Sequence, residues 1–142
     1  MRRMTTFGTA NVSFGKPLSL REFSSQNDGA TVALAGELMS RIAEVVPLVP
    51  VPLVCRALLA GAKTPADIAA HIEADFQKMP RNVRRPQRDA ADLAADGIAI
   101  LQRRNLVSGE ETLTLDASAH SVLSYYASSI AHHFPEPTDG DT

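Results

Sequence analysis

The sequence predicts a mainly α chain with a short N-terminal strand and one small β-hairpin (α+β), its C-terminal part helical and winged-helix-like in arrangement. Three observations carry this. Apolar residues recur at three- and four-residue spacing in several separate segments, period-two alternation is confined to short stretches, and alanine is abundant inside the helical segments. With 142 residues and 44% hydrophobic composition, the chain is one domain, or one small domain with tails, able to bury a modest core.

Ala10, Val12 and Phe14 alternate with Asn11 and Ser13, which predicts a strand closing at Gly15. Ser19 to Glu22 has the S-x-x-E form of a capping box, so a short helix is expected from there. After the polar link Ser24 to Gly29, Leu34, Leu38, Ile42 and Val45 mark one face of a longer helix that carries Glu37 and Arg41 as an ion pair and ends at Pro47. The apolar run from Val45 to Ala60, broken by Pro47, Pro50 and Pro52, reads as a buried turn between two core helices. The second of these starts at Pro52 and closes at Gly61, which can take the left-handed cap conformation.

A third helix opens at Thr64-Pro65-Ala66-Asp67, with Thr64 as N-cap, Pro65 in the first position and Ile68, Ile72 and Phe76 as its inner stripe. Residues 78–88 hold cations, prolines and no acid, and read as a loop. The helix from about Asp89 to Asn105 points Leu93, Ile98 and Leu101 inward. Its acids Asp89, Asp92 and Asp96 come early and Arg103 and Arg104 late, matching the helix dipole. Leu106 to Leu115 alternates around a Gly-containing turn and predicts the hairpin. Ala117 to Phe134 returns to helical spacing through Leu123, Tyr126 and Ile130, and 135–142 reads as a polar, disordered tail.

Composition excludes several functions. A net charge of -2 and a sequence pI near 6.1 do not suit a dedicated nucleic-acid binder, so no nucleic-acid partner is expected. The lone Cys55 precludes an intramolecular disulfide and a Cys-rich zinc site, no Gly-rich phosphate loop is present, and no metal or cofactor is implied. The start of the chain, Met1 to Thr6, is basic without an apolar run behind it and does not read as a secretory signal. The run at Val45 to Ala60 is shorter than the roughly 20 residues of a spanning helix and contains Arg56 and prolines, so it is not read as transmembrane.

The residues that could carry chemistry are few. His71 and Asp75 lie one helical turn apart and can touch, as an oriented base would require, but no activated Ser or Cys accompanies them and the pair reads as a solvated surface contact. His132 and His133 are adjacent, pointing about 100° apart on a helix, so one is expected to pack and one to be exposed. Cys55 reads as a small buried side chain. Lys78, Arg81, Arg84, Arg85 and Arg88 form the one strong local charge asymmetry, suited to phosphate or an anionic lipid headgroup, though Asp75 and Asp89 flank it. The helix, helix, hairpin order from Thr64 to Leu115 supports an alternative, a winged-helix DNA-binding or protein-interaction module. Its would-be recognition helix begins with acids where base-reading modules carry Arg, Lys, Asn or Gln.

Three ordered blocks resemble the part of bacterial glycerol-3-phosphate acyltransferases that follows the catalytic core. Asn11-Val12-Ser13-Phe14-Gly15-Lys16-Pro17-Leu18-Ser19-Leu20-Arg21-Glu22 is similar to their V-x-F-G-x-P-L-S-L-R segment. Arg41-Ile42 through Pro47, leading to Ala57-Leu58-Leu59-Ala60, follows in the family's order, as does Leu123-Ser124-Tyr125-Tyr126 through Ile130-Ala131-His132, with Ser128 and Ser129 where the family has two asparagines. The resemblance implies acyl transfer from acyl-CoA or acyl carrier protein to glycerol 3-phosphate in phospholipid synthesis, using a His-x-x-x-x-Asp pair. That pair is not found: three residues separate His71 from Asp75, and Phe134 to Pro137 lacks the Gly and Arg of the family's phosphate-binding motif. No catalytic residue is therefore assigned.

The resemblance places residues 1–23 at the end of an acyltransferase-type core, 24–134 in a C-terminal helical domain and 135–142 in the tail. The expected protein is a non-catalytic portion, inactive alone, cytoplasmic or peripheral at the inner face of the cell membrane. Its expected partners are a separate catalytic acyltransferase part and a membrane surface. It would brace the core through Val12 to Phe14, and present the apolar Pro47 to Leu59 run and the 78–88 loop to a bilayer interface or partner.

Overall fold

Helices dominate the chain wherever the local signals asked for them. In the computed structural model, which describes residues 12–26, 31–80 and 83–134, the order is α1 (Leu20–Gln26), α2 (Thr31–Val45), α3 (Pro50–Leu59), α4 (Pro65–Lys78), α5 (Ala90–Arg103), a hairpin of β1 (Val107–Ser108) and β2 (Thr114–Leu115), and α6 (Ala119–Ser128). A 3-10 turn at Ala131–His133 follows. The predicted class, mainly α with one small hairpin, is the class observed. The chain divides into two compact units, Met1–Pro47 and Leu48–Thr142.

In the first unit, the Ser19 hydroxyl accepts from the Glu22 amide at 3.4 Å and opens α1. The strand expected at Ala10 to Phe14 is not formed over its described residues: Val12 to Phe14 have no regular structure. Alternation alone does not make a strand, because the ladder hydrogen bonds must come from a partner, and the described part of this unit offers none. α2 forms as expected, with Glu37 and Arg41 paired at 2.7 Å, yet none of its residues is buried.

The second unit is organised by α3, and here the sequence expectation needs correcting. The turn is confined to residues 46–49, and the helix expected from Pro52 begins two residues earlier, at Pro50. Val49 is the N-cap and Pro50 and Pro52 fall in the first turn, where backbone amides have no intrahelical acceptor, so neither proline removes a hydrogen bond. Pro52, Leu53, Val54, Cys55, Ala57 and Leu58 are buried as α3 packs against α4, α5 and α6. The Pro47 to Leu59 run is thus core over most of its length.

Ile68, Ile72 and Phe76 from α4, Leu93, Ile98 and Leu101 from α5, and Leu123 and Ile130 complete this core. Each fully buried Leu or Ile contributes about 1.5–3 kcal/mol relative to exposure. Gly97 lets α5 approach α3 closely: a Cβ there would lie 2.5 Å from Val54 Cγ2.

The start of α4 follows the predicted capping, and α5 opens on a cap from Asp89, one of the acids expected early in that helix. Thr64 and Asp67 exchange hydrogen bonds in a full capping box, and the Asp89 carboxylate accepts from the Asp92 amide at 2.8 Å. Gly61, with φ +98°, closes the turn after α3. The hairpin pairs Val107 with Leu115 and Ser108 with Thr114, and the Leu113 amide donates to the Lys63 carbonyl at 2.7 Å, tying the hairpin to the α3–α4 connection. The last predicted helix is shorter than expected, since α6 stops at Ser128 and the chain reaches Phe134 through the 3-10 turn.

Candidate functional site

The cationic segment is held at both ends. Met79 is buried after the last turn of α4, and Arg88 donates to Asp96 Oδ2 at 2.6 Å and to the Asp92 carbonyl at 3.5 Å. Its hydrogen bond with Asp96 holds the Arg88 guanidinium above its ordinary pKa. Arg88 is therefore part of the packing of the segment onto α5. Lys78, Arg84 and Arg85 are exposed and have no acidic partner among the described residues. Arg81 lies outside the described residues.

Asp75 was expected on a solvated surface beside His71 and is instead buried, at 6% exposure. Its carboxylate faces α3, where Arg56 Nε and Nη2 lie 3.1 and 3.5 Å from Oδ2 and Oδ1. The Arg56 guanidinium also stacks on the Phe134 ring, 4.2 Å from its centroid. His71 Nε2 is 3.6 Å from Asp75 Oδ2, too long for a hydrogen bond. With Arg56 as its main partner, Asp75 does not orient His71 as a base. The group joins α3, α4 and the residue that follows the 3-10 turn. A signal for it was present: Asp75 falls three residues after Ile72 on the inner stripe of α4, and Arg56 sits in an apolar run.

The remaining candidates behave as packing groups. Cys55 is fully buried and burial pushes its thiol up to about 12, so it is not a nucleophile at neutral pH. His133 is buried and His132 exposed, as expected, with ring centroids 4.0 Å apart. No group of three or more His, Cys, Asp or Glu placed to hold a metal occurs among the described residues. No single described helix is long and apolar enough to cross a membrane.

In the first unit, Arg41 supplies a link that sequence reasoning did not assign. Its Nη1 donates to the carbonyls of Lys16 and Pro17 at 3.2 and 2.6 Å while Nε holds Glu37. The Gly15 to Ser19 segment is thereby laid along α2, with an open cleft lined by Leu18, Glu22 and Phe23 beside the Glu37 and Arg41 pair.

Helices α3, α4 and α5 are followed by the hairpin, whose Leu113 amide bonds to the Lys63 carbonyl between α3 and α4, in one helical module. The chain belongs to the family described as glycerol-3-phosphate acyltransferase C-terminal region, whose model matches residues 1–138. No curated protein and no solved structure matches the chain.

Proposed function

We propose that this chain is the non-catalytic C-terminal portion of a glycerol-3-phosphate acyltransferase, inactive by itself, which braces a separately supplied catalytic part. That part would transfer the acyl group from acyl-CoA or acyl carrier protein to glycerol 3-phosphate. One observation carries the reading: the first unit leaves several large apolar side chains uncovered. Phe14 is 91% exposed, Val32 84% and Ile42 54%, and α2 buries no residue of its own. Leu38 and Ile42, one turn apart on α2, are both exposed, and adjacent apolar side chains open to solvent suit an interaction face. The segment that resembles the family's post-catalytic block, Asn11 to Glu22, lies in the same unit.

The test is reconstitution. The 142-residue chain alone should give no acyl transfer to glycerol 3-phosphate. Mixed with a catalytic acyltransferase portion, it should co-purify and raise that portion's activity. Phe14→Asp with Ile42→Asp should abolish both effects without altering the helical content of the second unit. Acyl transfer by the chain alone, or no association with the catalytic portion, overturns the proposal.

The succession of α3, α4, α5 and hairpin favours a second reading, a winged-helix regulator. Against duplex DNA stand Asp89, Asp92 and Asp96 at the start of α5 and Glu110 and Glu111 in the hairpin turn, all exposed. Salt-sensitive micromolar retention of duplex DNA in a mobility-shift assay would favour that reading over the first.

A further inference from the structure

Helix α6 packs on α3, burying Ala119 and Leu123, and leaves its other side in water. Val122 and Tyr125, three residues apart and so neighbours on that side, are 36% and 74% exposed. An exposed side chain ordinarily flips between rotamers within nanoseconds. This ring is braced. The Tyr125 and Tyr126 rings meet edge-on with centroids 5.8 Å apart. Tyr126 is half-buried, and its hydroxyl accepts from Nη1 of Arg104, the residue that caps α5. The Ser128 and Ser129 hydroxyls turn back onto the Tyr125 and Tyr126 carbonyls and do not reach outward.

Residues 117–134 contain no Asp or Glu. Arg104 has no carboxylate partner among the described residues, and neither has the adjacent, exposed Arg103. The acids nearest in sequence are committed or turned aside. Asp116, just before α6, accepts from the Ser118 amide and hydroxyl, and Asp96, about two turns before Arg104 on α5, pairs with Arg88. Glu110 and Glu111 are exposed at the hairpin turn, which Gln102 fastens by donating from Nε2 to the Gly109 carbonyl at 2.7 Å. Gln102 and Arg104 are two positions apart, about 200° round the helix, so the turn and the Arg104 side chain lie on different sides of α5.

We propose that Val122, Tyr125 and the Arg104–Tyr126 pair form a docking surface for an acidic protein segment, one that sets an apolar side chain against the Tyr125 ring and a carboxylate on the Arg104 guanidinium. Tyr and Arg are among the residues that most often anchor interfaces, and a guanidinium holds a carboxylate through charge-assisted hydrogen bonds. Tyr126 takes one donor of the Arg104 fork, and the remaining donors can receive the carboxylate. Because the two rings and the guanidinium already hold one another, little freedom is lost when a partner arrives. The surface lies wholly on the second unit, and the inference does not rest on the proposed catalytic partnership.

The experiment selects random linear peptides displayed on phage against the immobilised full chain and measures the affinity of the enriched peptides by fluorescence anisotropy at physiological salt. Enriched peptides should carry Asp or Glu beside an aliphatic or aromatic residue. Tyr125→Ala with Arg104→Gln should weaken their binding by roughly 30-fold, as the loss of interface anchors does. Tyr126→Phe keeps the ring and releases Arg104, so a loss of about fivefold is expected. Arg84→Gln removes one positive charge from the α4–α5 connection and should change affinity by less than about twofold, since distant exposed charges are screened. Circular dichroism checks that the variants stay folded. Enrichment without acidic residues, undiminished binding to the Tyr125 and Arg104 double variant, or an equal loss in Arg84→Gln would each overturn the proposal. Self-association of the chain that Tyr125→Ala abolishes would overturn it by making a second copy the occupant. Tighter binding of oligothymidylate than of any enriched peptide through the same residues would also overturn it, because exposed rings beside Arg can stack on bases.

Discussion

Replacing Gly97 with alanine sets two effects of opposite sign against each other. Mid-helix, alanine is favoured over glycine by about 1 kcal/mol, so the sequence alone predicts that Gly97→Ala stabilises α5. The structure predicts the reverse, because the new Cβ would lie 2.5 Å from Val54 Cγ2 and 2.8 Å from the Pro50 carbonyl oxygen. Carbon contacts normally relax to about 3.5–4.0 Å, so α3 and α5 would have to separate by about 1 Å. Neither neighbour can yield easily. Val54 is fully buried and β-branched, with one preferred rotamer in a helix, and the oxygen belongs to the backbone. Overpacking of this kind costs about 1–3 kcal/mol, and the backbone contact argues for the upper end. After subtracting the propensity gain, a net loss of about 2 kcal/mol is expected, with a melting temperature lower by roughly 10 °C. Urea titration followed by circular dichroism measures it. Val54→Ala in the same chain should relieve only part of the crowding, since the Pro50 oxygen remains. At Gly36, where nothing lies within 4 Å of an added Cβ, alanine should be neutral or mildly stabilising. A Gly97→Ala protein as stable as the original would refute the close α3–α5 approach.

Three further outcomes follow from the same geometry. Asp75→Ala should cost about 2–3 kcal/mol, somewhat less than a fully buried pair because Arg56 keeps some contact with water, whereas His71→Ala should cost under about 1 kcal/mol; equal costs in denaturant titration would contradict the assignment of Arg56 as main partner. The Asp67 and Asp116 carboxyls are held below the ordinary carboxylate range, first by their hydrogen bonds with the side chains of Thr64 and Ser118. Their stabilisation is present above the unfolded value of about 3.9 and is lost as pH falls through the lower folded values, so Asp67→Asn with Asp116→Asn should flatten the decline of melting temperature below about pH 4. An unchanged slope would exclude these carboxyls as a source of acid sensitivity. Cys55 should react with a thiol reagent at neutral pH only after unfolding in urea, and rapid labelling of the folded chain would contradict its burial.

The parts of this fold that could be read from sequence are those decided within a few residues. Thr64-Pro65-Ala66-Asp67, Asp89 and Gly61 fix helix ends by local hydrogen bonding and backbone preference, and all three do so here. The hairpin at Leu106 to Leu115 was equally legible from alternation around a turn. What failed depended on distant partners. Val12 to Phe14 alternate as a strand does, but no neighbour among the described residues supplies a ladder. The α2 stripe of Leu34, Leu38 and Ile42 correctly signals a helix, yet periodicity cannot say whether the stripe is covered. Among the cations of 78–88, sequence gives the sum of charge; only the fold reveals that Arg88 is already paired with Asp96. The Asp75 and Arg56 pair was missed because its members belong to different helices.

The hydrogen bond from Leu113 to Lys63 makes the hairpin dependent on a distant stretch of chain. Strands of two residues each are too short to persist unaided, and an isolated two-stranded ribbon is marginal in water. The ribbon therefore depends on the α3–α4 connection for support beyond its own pairing. A proteolytic nick between Gly61 and Lys63 would loosen a turn far along the chain from the cut. In hydrogen exchange, the Leu113 amide would open with the unit as a whole, at a rate unlike that of its neighbours at the ribbon's tip.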